Sequence, residues 1–142
     1  MKMHITKSLM LGLTLVFLQA TASAATVIIG HPSNNAKLTK AEATKMYLGK
    51  AKKFPGGGKA APVDQSLGND SRKDFYGKTV GKSDSQIKAH WSRLLFSGKG
   101  KPPKVLDNDE AVKKWVAGHP EALGYIDSSA VDDTVKVLYT VE

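Results

Sequence analysis

Ala61-Pro62-Val63-Asp64-Gln65-Ser66-Leu67-Gly68-Asn69-Asp70-Ser71-Arg72 is the stretch on which the fold turns. Ala61 to Gln65 reads as a short strand, and Asn69, Asp70 and Ser71 are all good caps for a helix carrying Phe75 and Tyr76. A strand leaving through a glycine turn into a helix is the unit of an alternating α/β chain. Gly68 lets the backbone approach a ligand closely, and the first-turn N–H groups point outward at the positive end of the helix dipole. An anion is favoured at such a start, with Arg72 able to add charge, although Asp70 would repel it unless turned away. The competing reading is that Asn69, Asp70 and Ser71 only cap the helix.

The flanks keep the same alternation. Thr26-Val27-Ile28-Ile29 is a β-rich run ending at the turn Gly30-His31-Pro32. Thr39-Lys40-Ala41-Glu42 reads as a capping box opening a helix to about Leu48, stopped by Gly49. Pro55-Gly56-Gly57-Gly58 marks a flexible loop. Ser83-Asp84-Ser85-Gln86 is a second capping box before Ile87, Trp91, Leu94 and Leu95, which share one helical face. After the Pro102-Pro103 loop and a short extended piece at Val105-Leu106, Asp107-Asn108-Asp109-Glu110 reads as a third box. Its helix should bury Val112, Trp115 and Val116, and strands are expected near Ala122–Ile126 and Thr134–Val141. This order predicts an α/β class, a single small layered domain.

The first residues read differently. Lys2, His4 and Lys7 precede an apolar run from Leu9 to Leu18, and Gln19-Ala20-Thr21-Ala22-Ser23-Ala24 supplies small residues. This predicts a signal peptide over 1–24, cut after Ala24, and a working domain over 25–142 outside the cytoplasm, periplasmic or otherwise exported. These ten residues, broken only by Gly12 and Thr14, would rise about 15 Å as a helix, against a hydrocarbon layer of roughly 30 Å, which weighs against the alternative of an uncleaved anchor.

The 142-residue chain carries a net charge of +8, and Lys2 and Lys7 fall in the leader, so +6 remains on residues 25–142. That balance attracts anions. The lysines are scattered rather than gathered on one helix with interleaved aromatics, so nucleic acid is not an expected partner. With no cysteine, thiol chemistry, disulfides and cysteine zinc sites are excluded. Gly58-Lys59 lacks the earlier glycine and the following Ser or Thr of a phosphate loop. His31, His90 and His119 show no metal spacing, and Asp132-Asp133 reads as turn chemistry. No metal, cofactor or nucleophile–base pair is expected, and the residues give no case for an enzyme.

Leu38-Thr39 with Met46-Tyr47-Leu48-Gly49-Lys50, then Ala61-Pro62-Val63, the Gly68 to Phe75 turn, Phe96-Ser97-Gly98-Lys99-Gly100, Val116 and Pro120-Glu121-Ala122-Leu123-Gly124-Tyr125-Ile126 run in one order. Together they resemble the phosphate-type periplasmic solute-binding proteins of ABC transporters. The resemblance covers nearly all of residues 25–142 and implies one lobe, mainly the second, of a type II periplasmic binding fold. It also implies a non-covalent site for phosphate or a similar small oxyanion at Gln65, Ser66, Gly68, Asn69, Ser71 and Arg72, tied to ABC-type uptake or sensing. Gln65 stands where that family has an arginine and Leu67 where it has an acid, while Asn69 and Ser71 take its Ser and Thr places. The bidentate arginine fork is therefore missing unless Arg72 replaces it, and weak binding is expected. The alternative is an interaction module, without ligand, docking on a membrane sensor, porin or transporter.

Overall fold

The computed structural model describes residues 24–142; the leader reading, apart from Ala24, lies outside them. The chain runs β1 (Thr26–Gly30), α1 (Lys40–Tyr47), β2 (Ala61–Gln65), α2 (Asp70–Phe75), a π turn (Tyr76–Val80), α3 (Asp84–Phe96), β3 (Lys104–Leu106), α4 (Asp109–Gly118), β4 (Ala122–Asp127), a 3₁₀ turn (Ser128–Ala130) and β5 (Lys136–Thr140). The expected α/β layered domain is the observed one.

The sheet order is β3-β2-β4-β1-β5. β2 runs parallel to β3 and β4, whereas β1 is antiparallel to β4 and β5. Strand alternation divides the side chains between two cores. Ile28, Leu123, Tyr125 and Leu138 face Tyr47, Phe75, Tyr76, Ile87 and Trp91 from α1, α2, the π turn and α3. Val27, Ile29, Val63 and Ile126 face the other way, onto Val112 and Val116 of α4. Helices thus cover both faces, and neither apolar face of the central strands meets water.

The caps explain the helix starts. Thr39 accepts from the Glu42 N–H at 3.2 Å, but Glu42 answers through the Thr39 hydroxyl rather than its main chain, so the box is half formed. The Ser83/Gln86 box is complete. The third start is capped by Asn108, one residue later than the expected Asp107, through the Ala111 N–H at 3.0 Å. On α3, Ile87 and Trp91 are buried as expected, but Leu95 lies at the surface. The helix after Asn69 does not end as a simple α-helix: it widens into the π turn and stops at Gly81, whose φ of 69° is left-handed.

Gly124 is fixed by packing. A Cβ there would strike Val112 Cγ1 and lie 2.9 Å from Val63 Cγ2, between the sheet and α4. Gly124→Ala should cost about 1–3 kcal/mol through overpacking and lower the melting temperature by several degrees, read by thermal circular dichroism.

Candidate functional site

The end of β2 and the start of α2 are joined by a buried charge. Asp64, almost fully buried, accepts from the Gln65 N–H (2.9 Å), the Tyr76 hydroxyl (2.6 Å) and the Tyr125 hydroxyl, and pairs with Arg72 Nη1 at 2.8 Å. Arg72 also donates to the Gln65 carbonyl at 3.1 Å and lies 4.6 Å over the Tyr76 ring. Tyr47 completes the aromatic cluster, its ring tilted against Phe75 and Tyr125, which stack on each other, and donates to the Val63 carbonyl at 2.9 Å. Every oxygen of Asp64 has a donor, which is the condition for a buried carboxylate.

The mouth lies beyond this cluster, at the C-terminal ends of β2 and β3. Gln65, Gly68, Asn69, Asp70 and Ser71 form one wall of an open groove of about 650 Å³, and Asn108, Asp109, Glu110 and Asp127 form the other. The α2 and α4 helices therefore start on the same opening. Among the described residues, the main-chain N–H groups of Asp70, Ser71, Asp109 and Glu110 have no protein acceptor, and α2 has no side-chain cap. Gly68 holds the turn with φ 89°.

The expected residues separate under this geometry. Gly68, Asn69 and Ser71 meet in the groove. Gln65 lines the same wall, but its amide is committed: Nε2 donates to Asp109 Oδ1 and to the Tyr125 carbonyl, both at 2.7 Å, and Oε1 accepts from Asn69 Nδ2 at 3.2 Å. Asn69 sits at the cap position yet spends its amide on Gln65 and on the Asp107 carbonyl (2.7 Å). Ser66 is not a lining residue; its N–H pairs with the Leu106 carbonyl and its carbonyl accepts from Asn69. Arg72 is the main correction. Its guanidinium is buried, paired with Asp64 near the end of β2 and 3.5 Å from the exposed Asp84, so it adds no charge at the groove.

Sequence reasoning missed the opposite wall. Asp109 ties the two walls together, accepting from Gln65 Nε2 and, through Oδ2, from the Asp127 N–H at 3.1 Å. The third capping motif marked this start as a helix end, but only the fold brings it opposite Ser71. No group of metal-ligating side chains occurs among the described residues. Asp132 behaves as turn chemistry, accepting from Thr134 and pairing with Lys113 at 2.9 Å.

No protein-family model and no curated protein sequence matches the chain. Solved structures do. The fold is similar to a phosphate ABC transporter substrate-binding protein with bound phosphate from Clostridium perfringens (23% identity, TM-score 0.64, 81% of this chain and 44% of that one). An ABC-type phosphate transport receptor from Vibrio cholerae gives 19% identity and a TM-score of 0.64, over 81% of this chain and 45% of that one. PstS from Borrelia burgdorferi gives 13% and 0.60, over 82% and 47%. The chain spans less than half the length of these neighbours and shares their fold over that part.

Two outcomes test the buried cluster. Arg72→Ala strands Asp64 without its cation and should cost about 3–5 kcal/mol in urea unfolding, whereas the paired change Asp64→Asn, Arg72→Met should recover most of that loss. Burial, followed by the Asp64 charge, raises the Tyr76 and Tyr125 hydroxyls above their ordinary range, and burial does the same for Tyr47. Raised tyrosines stabilise the fold fully below their unfolded value near pH ~10, and that contribution is lost as pH climbs further. Tyrosinate absorbance from these three should therefore appear together with unfolding, not before it.

Proposed function

We propose that this chain is an exported solute-binding-type protein, processed after Ala24, that holds a small protonated oxyanion of the phosphate type in the groove between α2 and α4, without covalent chemistry, in ABC-type uptake or sensing. The observation that carries the reading is the meeting of two helix starts, with free main-chain N–H groups and the Ser71 hydroxyl, on one opening. Each helix start offers about half a positive charge, which favours an anion there. The likeness of fold to phosphate-binding proteins supports the same ligand class.

The acidic side chains narrow that class. Asp70, Asp109, Glu110 and Asp127 line the groove, and a carboxylate accepts hydrogen bonds without donating them. A ligand with its own O–H, such as hydrogenphosphate, can satisfy both the N–H donors and these acceptors; sulfate cannot. With Arg72 turned inward and no second lobe among the described residues, binding is open to water and weak. Calorimetry on residues 25–142 should give phosphate and arsenate a Kd on the order of 1 mM, with sulfate at least about tenfold weaker. Ser71→Ala should weaken phosphate about three- to tenfold. Failure to bind phosphate, or equal binding of sulfate, would overturn the reading.

A second reading, docking on a membrane protein, is favoured by a separate surface. Leu67, Leu95 and Val105 are more than half exposed and border a hollow of about 430 Å³ with Ile87, Trp91, Pro102 and Pro103, and Phe96 at the end of α3 is 98% exposed. Clustered apolar exposure of this kind marks contact surfaces. Under this reading Leu95→Glu lowers retention of the protein on membranes of the source cell, and Ser71→Ala leaves it unchanged.

A further inference from the structure

A smaller cavity, about 300 Å³, opens beside the groove and shares Asp70, Ser71 and Asp127 with it. Its other walls are Ala24, Ala25, Thr26, Asp74, Lys78 and Val141. The main chain here is fixed: Thr26 pairs with Asp127 across the sheet, and the Ser128 N–H donates to the Ala25 carbonyl at 2.8 Å. The Ala24–Ala25 peptide bond is therefore held at the rim of an acidic hollow. Lys78, the cation lining that hollow, is taken by Asp74 at 2.8 Å. Asp127 Oδ1 caps the Ser129 N–H at 2.8 Å, and Asp70 is exposed with no partner among the described residues.

From this placement we infer that hydrolysis of the Ala24–Ala25 bond seats the new α-ammonium of Ala25 between Asp70 and Asp127, so that processing supplies the groove's missing positive charge. The inference rests on the export reading above. Water adds across the bond, its hydroxyl going to the Ala24 carbonyl carbon and a proton to the Ala25 nitrogen. The freed amine then takes one more proton from solvent. The leader departs with the Ala24 carboxylate. An amide that carried no charge becomes a cation, and the cavity already holds two carboxylates without a cation of their own. The facing charged groups are Asp70, Asp74 and Lys78 from α2 and the π turn, and Asp127 from β4; Val141 closes the side nearest β5. Two acids against an unpaired ammonium favour its charged form. The resulting stabilisation is complete below the ordinary α-amino value of about 7.7–8.0 and is lost as pH rises through the raised one. The same ammonium partly neutralises Asp70 and Asp127, the two groove acids that share this cavity with Ser71, and so reduces their repulsion of an anion.

The test uses the protein exported with its own leader and purified from the envelope. N-terminal sequencing should begin at Ala25, and the pH titration of the Ala25 ¹³Cβ resonance should have a midpoint at least about half a unit above the ordinary α-amino value. Asp127→Asn, which keeps the oxygen that caps Ser129, and Asp70→Asn should each move that midpoint back toward the ordinary range. A start at any other residue, or an ordinary midpoint that neither variant moves, overturns the inference. Phosphate titration of the same sample separates the two proposals. A raised midpoint without phosphate binding upholds the seat and removes the oxyanion reading.

Discussion

The contact between Asp64 and Arg72 sets the arrangement of everything near the mouth of the domain. A carboxylate near the end of a buried strand is tolerable only if both oxygens have donors, and here the Gln65 N–H, the Tyr125 hydroxyl and the guanidinium meet Oδ1 while the Tyr76 hydroxyl meets Oδ2. To reach Asp64, Arg72 must face inward, which fixes the rotation of α2 about its own axis. With Arg72 inside, Ser71 and Asp70 are turned toward the groove. The orientation of the site thus follows from a charge that never touches it. In a chain without cysteine, this hydrogen-bonded knot also pins α2 and β4 to β2 in one register.

That dependence explains how much could be read in advance. The alternation of strand and helix was legible because capping residues, glycines and apolar spacing are local signals. Ser83 and Gln86, Gly49, and the run from Ala122 to Ile126 behave as their neighbours dictate. The role of Arg72 was not legible, because its partner is chosen by the distance to Asp64 in space and not by the helix start beside it in sequence. Gln65 lines the groove, but its amide is a brace between Asp109 and Tyr125, residues 44 and 60 positions away. The far wall of the groove was recognised as a helix start, and only the parallel pairing of β2 with β3 puts it opposite Ser71.

The groove balances opposite tendencies. Two helix starts make it electropositive at the main chain, and four carboxylates make it acidic at the side chains. In the proposed oxyanion reading, such a surface discriminates by hydrogen-bond inventory more than by net charge, since the ligand must both accept from N–H groups and donate to carboxylates. This is a different solution from an arginine fork, which selects by shape and charge.

The β3 edge of the sheet is guarded against pairing with other chains. β3 is only three residues long and is entered through Pro102-Pro103, with a lysine as its first residue. Leu106 turns its carbonyl toward Ser66, which leaves the polar main-chain groups of Val105 at the open rim. A long, flat rim of this kind would recruit strands from neighbouring molecules. Brevity, proline and positive charge keep this one from templating such growth, so the apolar surface beside it is not extended by an open strand edge.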